Sequence, residues 1–523
     1  MTPPIKRLMQ LLLLLLGCPA LTLAQPRTLT FDRDSTGQLS ATLAHHTLYR
    51  DGVRGTALDL SARAACRTPL VLDSMSFTAN GKQIYGIALW VRTPAGALPG
   101  SAGAVIATNV DKTAKAGGFT IGASANGSWY AGFTDNNGNS LWYEPTPARQ
   151  PLNDGRWHLL ALTYSKRLDK ARFYYDGQNV AIYNLNELGP INGRGKIRLG
   201  GADSTEWNAF NGQIDEFTLY DRIPTPEMLF RLYSSYYTRA RLTPLPDSLA
   251  ELKLMAFNIW HGGRETGAEV GPQRVADLIR RSGADVVGLI ETYGSGPAIA
   301  DALGYYLYLH SSNLSILSRY PIGRTYDFFH PFNCSAARIR VSKTQAIHYV
   351  NLWLHYLPDT QQQLEQGMKP DSIVGQEWTT RAGELKQILH DADSVGFLSG
   401  DVPTFVSGDF NSDSHLDWIR ATRHLHRGYV LPWPTSQLMA DAGFQDAYRV
   451  CYPNPKTHPG ITWSPLIDAA DSSALRYRID FIYYKGPGVV PREVEVIDTH
   501  PIRYPSDHAA VVGTFDLPVH ALH

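Results

Sequence analysis

The sequence predicts a multidomain chain, an all-β sandwich followed by an α/β layered domain, and three observations carry that prediction. At 523 residues the chain exceeds what one hydrophobic core organises, so two to four domains are expected. Residues 26 to 237 read as short strand-like runs broken by turn signals. From Leu252 on, apolar runs alternate with helical stretches, the pattern of strands covered by helices. Basic and acidic residues balance at 48 each, which excludes a global field pulling the protein onto nucleic acid or membranes.

The first 24 residues predict a signal peptide. Lys6 and Arg7 form a positive start, Leu8 to Leu16 an apolar stretch, and Thr22-Leu23-Ala24 a cleavage end. That stretch falls short of the roughly 20 residues that span a bilayer. The expected location is exported: periplasmic, secreted, or an outer-surface bacterial lipoprotein. The last alternative rests on Leu15-Leu16-Gly17-Cys18, which resembles a lipoprotein signal and would lipidate Cys18. No other stretch is long enough for a transmembrane helix. The four cysteines, Cys18, Cys66, Cys334 and Cys451, form no CxxC pair, which argues against a thiolate zinc site. Cys334 and Cys451 share the second domain, and pairing and two free thiols are both open.

In residues 26–237, runs such as Ile87-Ala88-Leu89-Trp90-Val91 and Ala171-Arg172-Phe173-Tyr174-Tyr175 alternate with turns at Asn136-Asn137-Gly138-Asn139, Asp154-Gly155 and Asp176-Gly177. That spacing predicts two packed antiparallel sheets. Leu152-Asn153-Asp154-Gly155-Arg156-Trp157-His158, then Tyr175-Asp176-Gly177, then Gly212 to Tyr220 with an amphipathic tail, resembles the laminin-G/concanavalin-A-like jelly rolls. The resemblance implies a jelly-roll sandwich and, as partner, a glycan or cell-surface ligand. Asp203, Glu206 and Asp215 are candidate calcium ligands, although loop acids and turn caps explain them better. Trp129, Tyr130, Trp142 and Tyr143 offer a sugar platform or, equally, core packing. Residues 238–250, with Pro244 and Pro246, predict a linker, and 251–517 the second domain.

Six islands in that domain each deliver a polar residue at or beyond a strand-like run: Asn258, Glu291, His355, Asp409 with Asn411, Asp480, and Asp507 with His508. Hydrolysing a phosphoester needs a cation on the non-bridging oxygens, a base for water and support for the leaving oxygen. Glu291, Asn258 and Asp507 are the oxygen donors that magnesium takes. Asp409 and Asn411, two positions apart, face the same way in an extended segment. Asp480 is placed to orient His508. From Glu251 on there are about six more acids than bases, a balance that suits a divalent cation better than a bare polyanion.

The order of these islands resembles the endonuclease/exonuclease/phosphatase superfamily over Leu252 to Phe515, with Gly408-Asp409-Phe410-Asn411 and Ser506-Asp507-His508 as its most specific phrases. The resemblance implies an α/β four-layer sandwich and a Mg2+ cofactor, with Mn2+ or Ca2+ as alternatives. It implies metal ligation by Glu291, Asn258 and Asp507, water activation by Asp409, and phosphoryl binding by Asn411. His508, oriented by Asp480, would stabilise the pentacovalent state or protonate the leaving group, with His355 a second phosphate contact or the acid. Further substrate contacts are expected at His261, Arg338, Arg340 and His415, while no basic stripe for duplex DNA is evident. The insert Asp359 to Gly375 is read as a lid.

The function expected is an exported metal-dependent phosphoester hydrolase, a phosphodiesterase on nucleic acid or a phospholipid head group. The alternatives are a phosphomonoesterase on inositol or sugar phosphates and a glycan-binding surface protein with an inactive second domain.

Overall fold

The computed structural model describes residues 26–32, 47–49, 51–61, 68–72, 84–98, 103–201, 209–237, 245–468, 470 and 474–518. The signal peptide, Cys18, Cys66, Asp203, Glu206 and the first part of the linker lie outside the described residues. Among those described, no helix is long and apolar enough to cross a membrane.

The N-terminal domain is a β-sandwich of the predicted kind. One sheet runs Leu70–Leu72, Ile197–Leu199, Ala104–Thr108, Gly118–Ala123, Trp129–Thr134 and Ser140–Tyr143. The other centres on Gln213–Tyr220, Ile84–Arg92, Trp157–Ser165, Lys170–Tyr175 and Gln178–Asn184. Strand alternation sorts the side chains. Ile87, Leu89 and Val91 enter the sandwich core with Phe119, Ile121 and Phe173. Ala88 and Trp90 face the other way, under the helix Pro226–Tyr236. Thr225 caps that helix, its side chain accepting from Met228 N, and Pro226 fills the first turn, where no amide is needed.

This sorting decides two sequence expectations. Trp129, Tyr130 and Tyr143 are buried, and Trp129 Nε1 donates to Gln150 Oε1, so of the four platform aromatics only Trp142 is partly exposed. Asp215 is fully buried inside its strand and accepts the amides of Glu216 and Arg54. It is a backbone anchor rather than a loop acid.

The second domain has four layers. Glu251–Asn258, Val286–Ile290, Ser315–Ser318, Tyr306–Leu309, Ala510–Asp516 and Val490–Ile497 make one sheet. Ala346–Trp353, Thr404–Asp409, Asp480–Lys485, Cys334–Arg340, Ile322–Tyr326 and Gln445–Asp446 make the second. Leu254, Ala256, Tyr349, Phe405 and Ile482 pack between them. Met255 and Phe257 point outward to Val275 and Ile279 of the helix Val270–Ser282. Val350 and Leu352 point outward to Leu385 and Ile388 of the helix Arg381–Ser394. Cys334 is buried, Cys451 is partly exposed, and both are free thiols.

The two domains share more than a linker. Gln178–Asn184, the sandwich's edge strand, pairs in parallel with Tyr306–Leu309, so one continuous sheet crosses the boundary. Lys170 Nζ lies 2.6 Å from Asp327 Oδ1, and Arg149 Nη1 donates to Tyr305 O at 2.6 Å. Each strand covers the other's unpaired backbone groups, which would otherwise be open edges.

The expected lid is also packed. Leu364 and Ile373, in the helices Thr360–Glu365 and Pro370–Trp378, share a core with Trp418, Trp433, Tyr477 and Ile479.

Candidate active site

Strand direction gathers the islands at one mouth. Glu251–Asn258 and Val286–Ile290 are parallel, with Asn258 opposite Ile290, so Asn258 and Glu291 leave the sheet at the same end. Ala346–Trp353 and Thr404–Asp409 are parallel as well, with Trp353 opposite Asp409. Asp480–Lys485 and Ala510–Asp516 run antiparallel to these, so they contribute their starts, Asp480 opposite Asp409 and His508 just before the last strand.

The turns there are backbone-specialised. Trp260, His261, Glu291 and Asn411 all hold positive φ, between 47° and 57°. Such conformations cost of order 1–3 kcal/mol and persist where the surroundings over-determine them. His261 N donates to Glu291 Oε2 at 3.1 Å, and Gly262 N to Glu291 O at 2.6 Å. Gly408 has φ 142°, and a Cβ there would stand 2.1 Å from Leu352 O, so the strand pair closes only over glycine.

Hydrogen bonds then fix the side chains. Asn258 Nδ2 donates to Glu291 Oε1 at 3.2 Å and to Asp409 Oδ2 at 3.1 Å, tying the two sheets' carboxylates together. Asn411 N donates to Asp409 Oδ1 at 2.9 Å, and Asn411 Nδ2 to Leu354 O at 2.9 Å. Ser506 Oγ donates to Asn258 O at 2.7 Å and accepts from His508 N at 3.1 Å. Thr462 Oγ1 accepts the amides of Ile479 and Asp480 at 3.0 and 3.1 Å. His508 Nδ1 lies 2.9 Å from Asp480 Oδ2, and its Nε2 3.9 Å from Asp409 Oδ2.

Burial opposes the charge on His508, but Asp480 and Asp409 outweigh it and raise the imidazole to about 10. Burial pushes Asp409 up to about 7, the neighbouring His508 holding it down and Asp480 pushing it further up. Asp507 is raised by burial, with His508 opposing and Glu291 adding to the rise.

Which residues suit a cation is decided by what is already bonded. Ligand-capable atoms of Asp409, Asp480 and His508 lie within 4.8 Å of one another. Asp480 gives Oδ2 to the imidazole and keeps Oδ1 without a partner, but the charged imidazole it holds repels a metal. Asp507 Oδ1 is buried with no hydrogen-bond partner, beside Glu291. An orphaned carboxylate oxygen in an oxygen-rich corner fits a hard divalent cation, so Glu291 and Asp507 are the better-suited pair, while the Asn258 side chain bridges Glu291 and Asp409.

These groups border a cavity of about 580 Å³ that Trp260, His261, Glu291, Asp409, Asn411, Asp507 and His508 help to line. Asp480 stands just behind His508. Besides Asp480 and the fully buried Asn258, four expected residues do not line the cavity. Arg338 and Arg340 lie opposite His348 and Ala346, at the start of the strand whose far end carries Trp353, because their own strand is antiparallel to it. Both are exposed there. The His415 ring is held by Ser436, Nδ1 to Oγ 2.7 Å. His355 is half-buried beside the wall, its ring 6.2 Å from that of Trp353 and 5.3 Å from that of Tyr356, both of which line the cavity. Residues absent from the sequence reading complete the lining: Tyr293, Phe332, Tyr356, Asp413, Trp463 and Tyr477. Only Tyr356 carried a signal, as a neighbour of the His355 island. Thr462, which anchors Asp480, carried none.

A profile described as Endonuclease/Exonuclease/phosphatase family matches residues 255–508. A second, described as Concanavalin A-like lectin/glucanases superfamily, matches residues 71–229. A Caenorhabditis elegans protein described as Uncharacterized protein F14F9.5 is 30% identical over 289 residues, covering 50% of this chain and 91% of its own length. Among solved structures, truncated TDP2 from C. elegans is 18% identical, with TM-score 0.36, over 51% of this chain and 98% of that one. An AP endonuclease from Archaeoglobus fulgidus is 15% identical, with TM-score 0.37, over 51% of this chain and 100% of that one.

Proposed function

The chain belongs to the endonuclease/exonuclease/phosphatase family, and from that premise we propose that it is an exported, divalent-metal-dependent phosphodiesterase that cleaves by in-line attack of water. The observation that carries the proposal is the line Asp480–His508–Asp409 beside the orphaned Asp507 oxygen. Nucleic acid and phospholipid head groups are the substrate classes it addresses.

Glu291 and Asp507 would hold the metal, magnesium by preference, and Asn258 would join them through Oδ1 by releasing the Trp260 amide. When bound, such an ion neutralises charge on the phosphoryl oxygens. Asp409 orients the attacking water and takes its proton, a role suited to a carboxyl raised to about 7. Asn411 keeps Asp409 in place through its own amide, and its Nδ2, which donates to Leu354 O and Asp409 Oδ2, would bind a phosphoryl oxygen by giving up one of those bonds. His508, kept charged by Asp480, stands where negative charge develops and can protonate the leaving oxygen. Export, through residues 1–24, belongs to the same proposal.

Hydrolysis of bis-p-nitrophenyl phosphate after EDTA dialysis tests it. Loss of activity, with recovery on adding Mg2+ or Mn2+, is expected. Undiminished activity without metal would overturn the metal-dependent reading.

A further inference from the structure

One surface segment departs from the charge balance of the rest of its domain. Between Asp417 and Asp441 the chain has no acid, yet it carries Arg420, Arg423, Arg427, His424 and His426. Residues 419–430 form a closed loop. Its neck is pinned where Leu431 N donates to Trp418 O at 3.2 Å. Successive turns follow, Leu425 N to Thr422 O at 2.8 Å and Gly428 N to Arg423 O at 2.7 Å. A loop whose ends are bonded together and whose interior is filled by its own side chains holds one shape. Thr422, His426 and Tyr429 do that filling. Thr422 Oγ1 donates to Asp417 O, the His426 ring stacks on Trp418 with centroids 4.1 Å apart, and Tyr429 Oη donates to Met368 O at 3.0 Å. Burial pushes His426 down to about 4, so it serves by stacking rather than by charge.

The side chains left outside are of two kinds. Arg420, Arg423 and Arg427 are exposed, and Leu425 and Val430 stand among them, each 46% exposed. Arg427 pairs with Glu365 at 3.3 Å. Among the described residues neither Arg420 nor Arg423 has an ion-pair partner. This combination decides which partner fits. Nucleic acid would satisfy the arginines, but the outer face of the loop offers its bases no exposed Phe, Tyr or Trp ring to stack on. An anionic bilayer satisfies both kinds of group. Its phosphates take the guanidinium forks, and the boundary beneath them takes the aliphatic side chains.

We infer that residues 419–430 dock the protein on an anionic lipid bilayer. The three arginines meet lipid phosphates, Arg427 by exchanging Glu365 for one of them. Leu425 and Val430 enter the boundary between head groups and acyl chains. The neck of the loop fixes what docking does for the active site. Trp418 and Leu431 share a core with Tyr477 and Ile479, and those two residues line the cavity. A docked loop therefore holds the cavity mouth close to the lipid surface through a packed connection. Adsorption to lipid needs no turnover, so the inference stands apart from the phosphodiesterase reading.

Vesicle cosedimentation of the exported form, residues 25–523, tests it, since the Leu8 to Leu16 stretch would enter any bilayer. Vesicles of phosphatidylcholine are compared with vesicles of equal parts phosphatidylcholine and phosphatidylglycerol. The partition coefficient should be ~100-fold higher with phosphatidylglycerol and should fall back at high salt. Arg420→Gln combined with Arg423→Gln should lower it about 30-fold on the anionic vesicles, and Leu425→Ser about threefold. Both variants should keep the wild-type melting profile, because the replaced side chains are exposed. Equal binding to the two kinds of vesicle, or wild-type binding by the double arginine variant, would overturn the docking surface. So would retention on a single-stranded oligonucleotide that these arginines control while vesicles are ignored. Anionic-vesicle binding that the double variant loses, in protein that hydrolyses no phosphodiester, would sink the phosphodiesterase and keep the surface. Turnover of bis-p-nitrophenyl phosphate without vesicle binding would do the reverse.

Discussion

Asp480 holds His508 by a 2.9 Å contact from Oδ2 to Nδ1, with both side chains buried. The contact leaves Nε2 directed toward Asp409 and keeps the imidazole charged at neutral pH. Asp480→Asn should therefore do more than loosen a ring. It removes the main influence that raises the His508 pKa, which should fall from about 10 while burial continues to depress it. The alkaline limb of the kcat profile should shift to lower pH, and kcat at pH 7 should drop roughly 10²-fold or more. A full pH–rate profile of the variant measures both effects.

A second buried histidine makes stability depend on pH. Burial works against charge on His158, but Asp154 at 2.9 Å and Asp176 at 3.1 Å raise it to about 9. A histidine with a raised folded pKa stabilises fully below its unfolded value, near 6.5, and the contribution is lost as pH climbs through the folded value. The window is thus pH 6.5 to 9, over which up to about 3 kcal/mol is at stake. Thermal melts should show a lower Tm at pH 9 than at pH 6.5. His508 adds a loss of the same sign, so the His158→Gln variant, with a smaller drop than wild type, isolates this residue.

Arg338 and Arg340 give a prediction of no effect. Both are exposed at the end of their strand remote from the cavity. The double alanine variant should keep kcat/KM within about twofold of wild type on small phosphodiesters, since remote surface changes rarely exceed a few tenths of a kcal/mol. Steady-state kinetics on bis-p-nitrophenyl phosphate checks it.

The shared sheet makes the N-terminal domain a structural partner of the catalytic one. A fragment of residues 245–518 would expose the Tyr306–Leu309 edge and leave Asp327 without Lys170. It should aggregate more readily and melt roughly 5–10 °C lower than the whole chain. Light scattering and calorimetry of the two proteins compare them directly.

The catalytic centre was legible because its chemistry sits at strand ends, where residue type and local pattern coincide. Asp409 and Asn411 two apart, and Asp507 beside His508, carried the site before any geometry was known. Periodicity says which face of a strand a residue occupies but not which end of the sheet it reaches. That is why Arg338 and Arg340 were misplaced: the antiparallel pairing of Cys334–Arg340 with Ala346–Trp353 points them to the far end. His355 differs from them, its ring set by local packing against Trp353 and Tyr356 of the cavity wall. The pairing of Ala181 with Leu307 joins residues more than a hundred positions apart, and no turn or spacing announces it. Tyr477 and Trp463 were silent for the same reason, since their place depends on a backbone bridge between distant segments.

The central claim is that Asp409 handles the attacking water within reach of His508. Turnover of bis-p-nitrophenyl phosphate by Asp409→Ala at saturating Mg2+, in protein with an unchanged melting profile, tests it most directly. The account predicts a loss of roughly 10²-fold or more in kcat. Full turnover by that variant would contradict it.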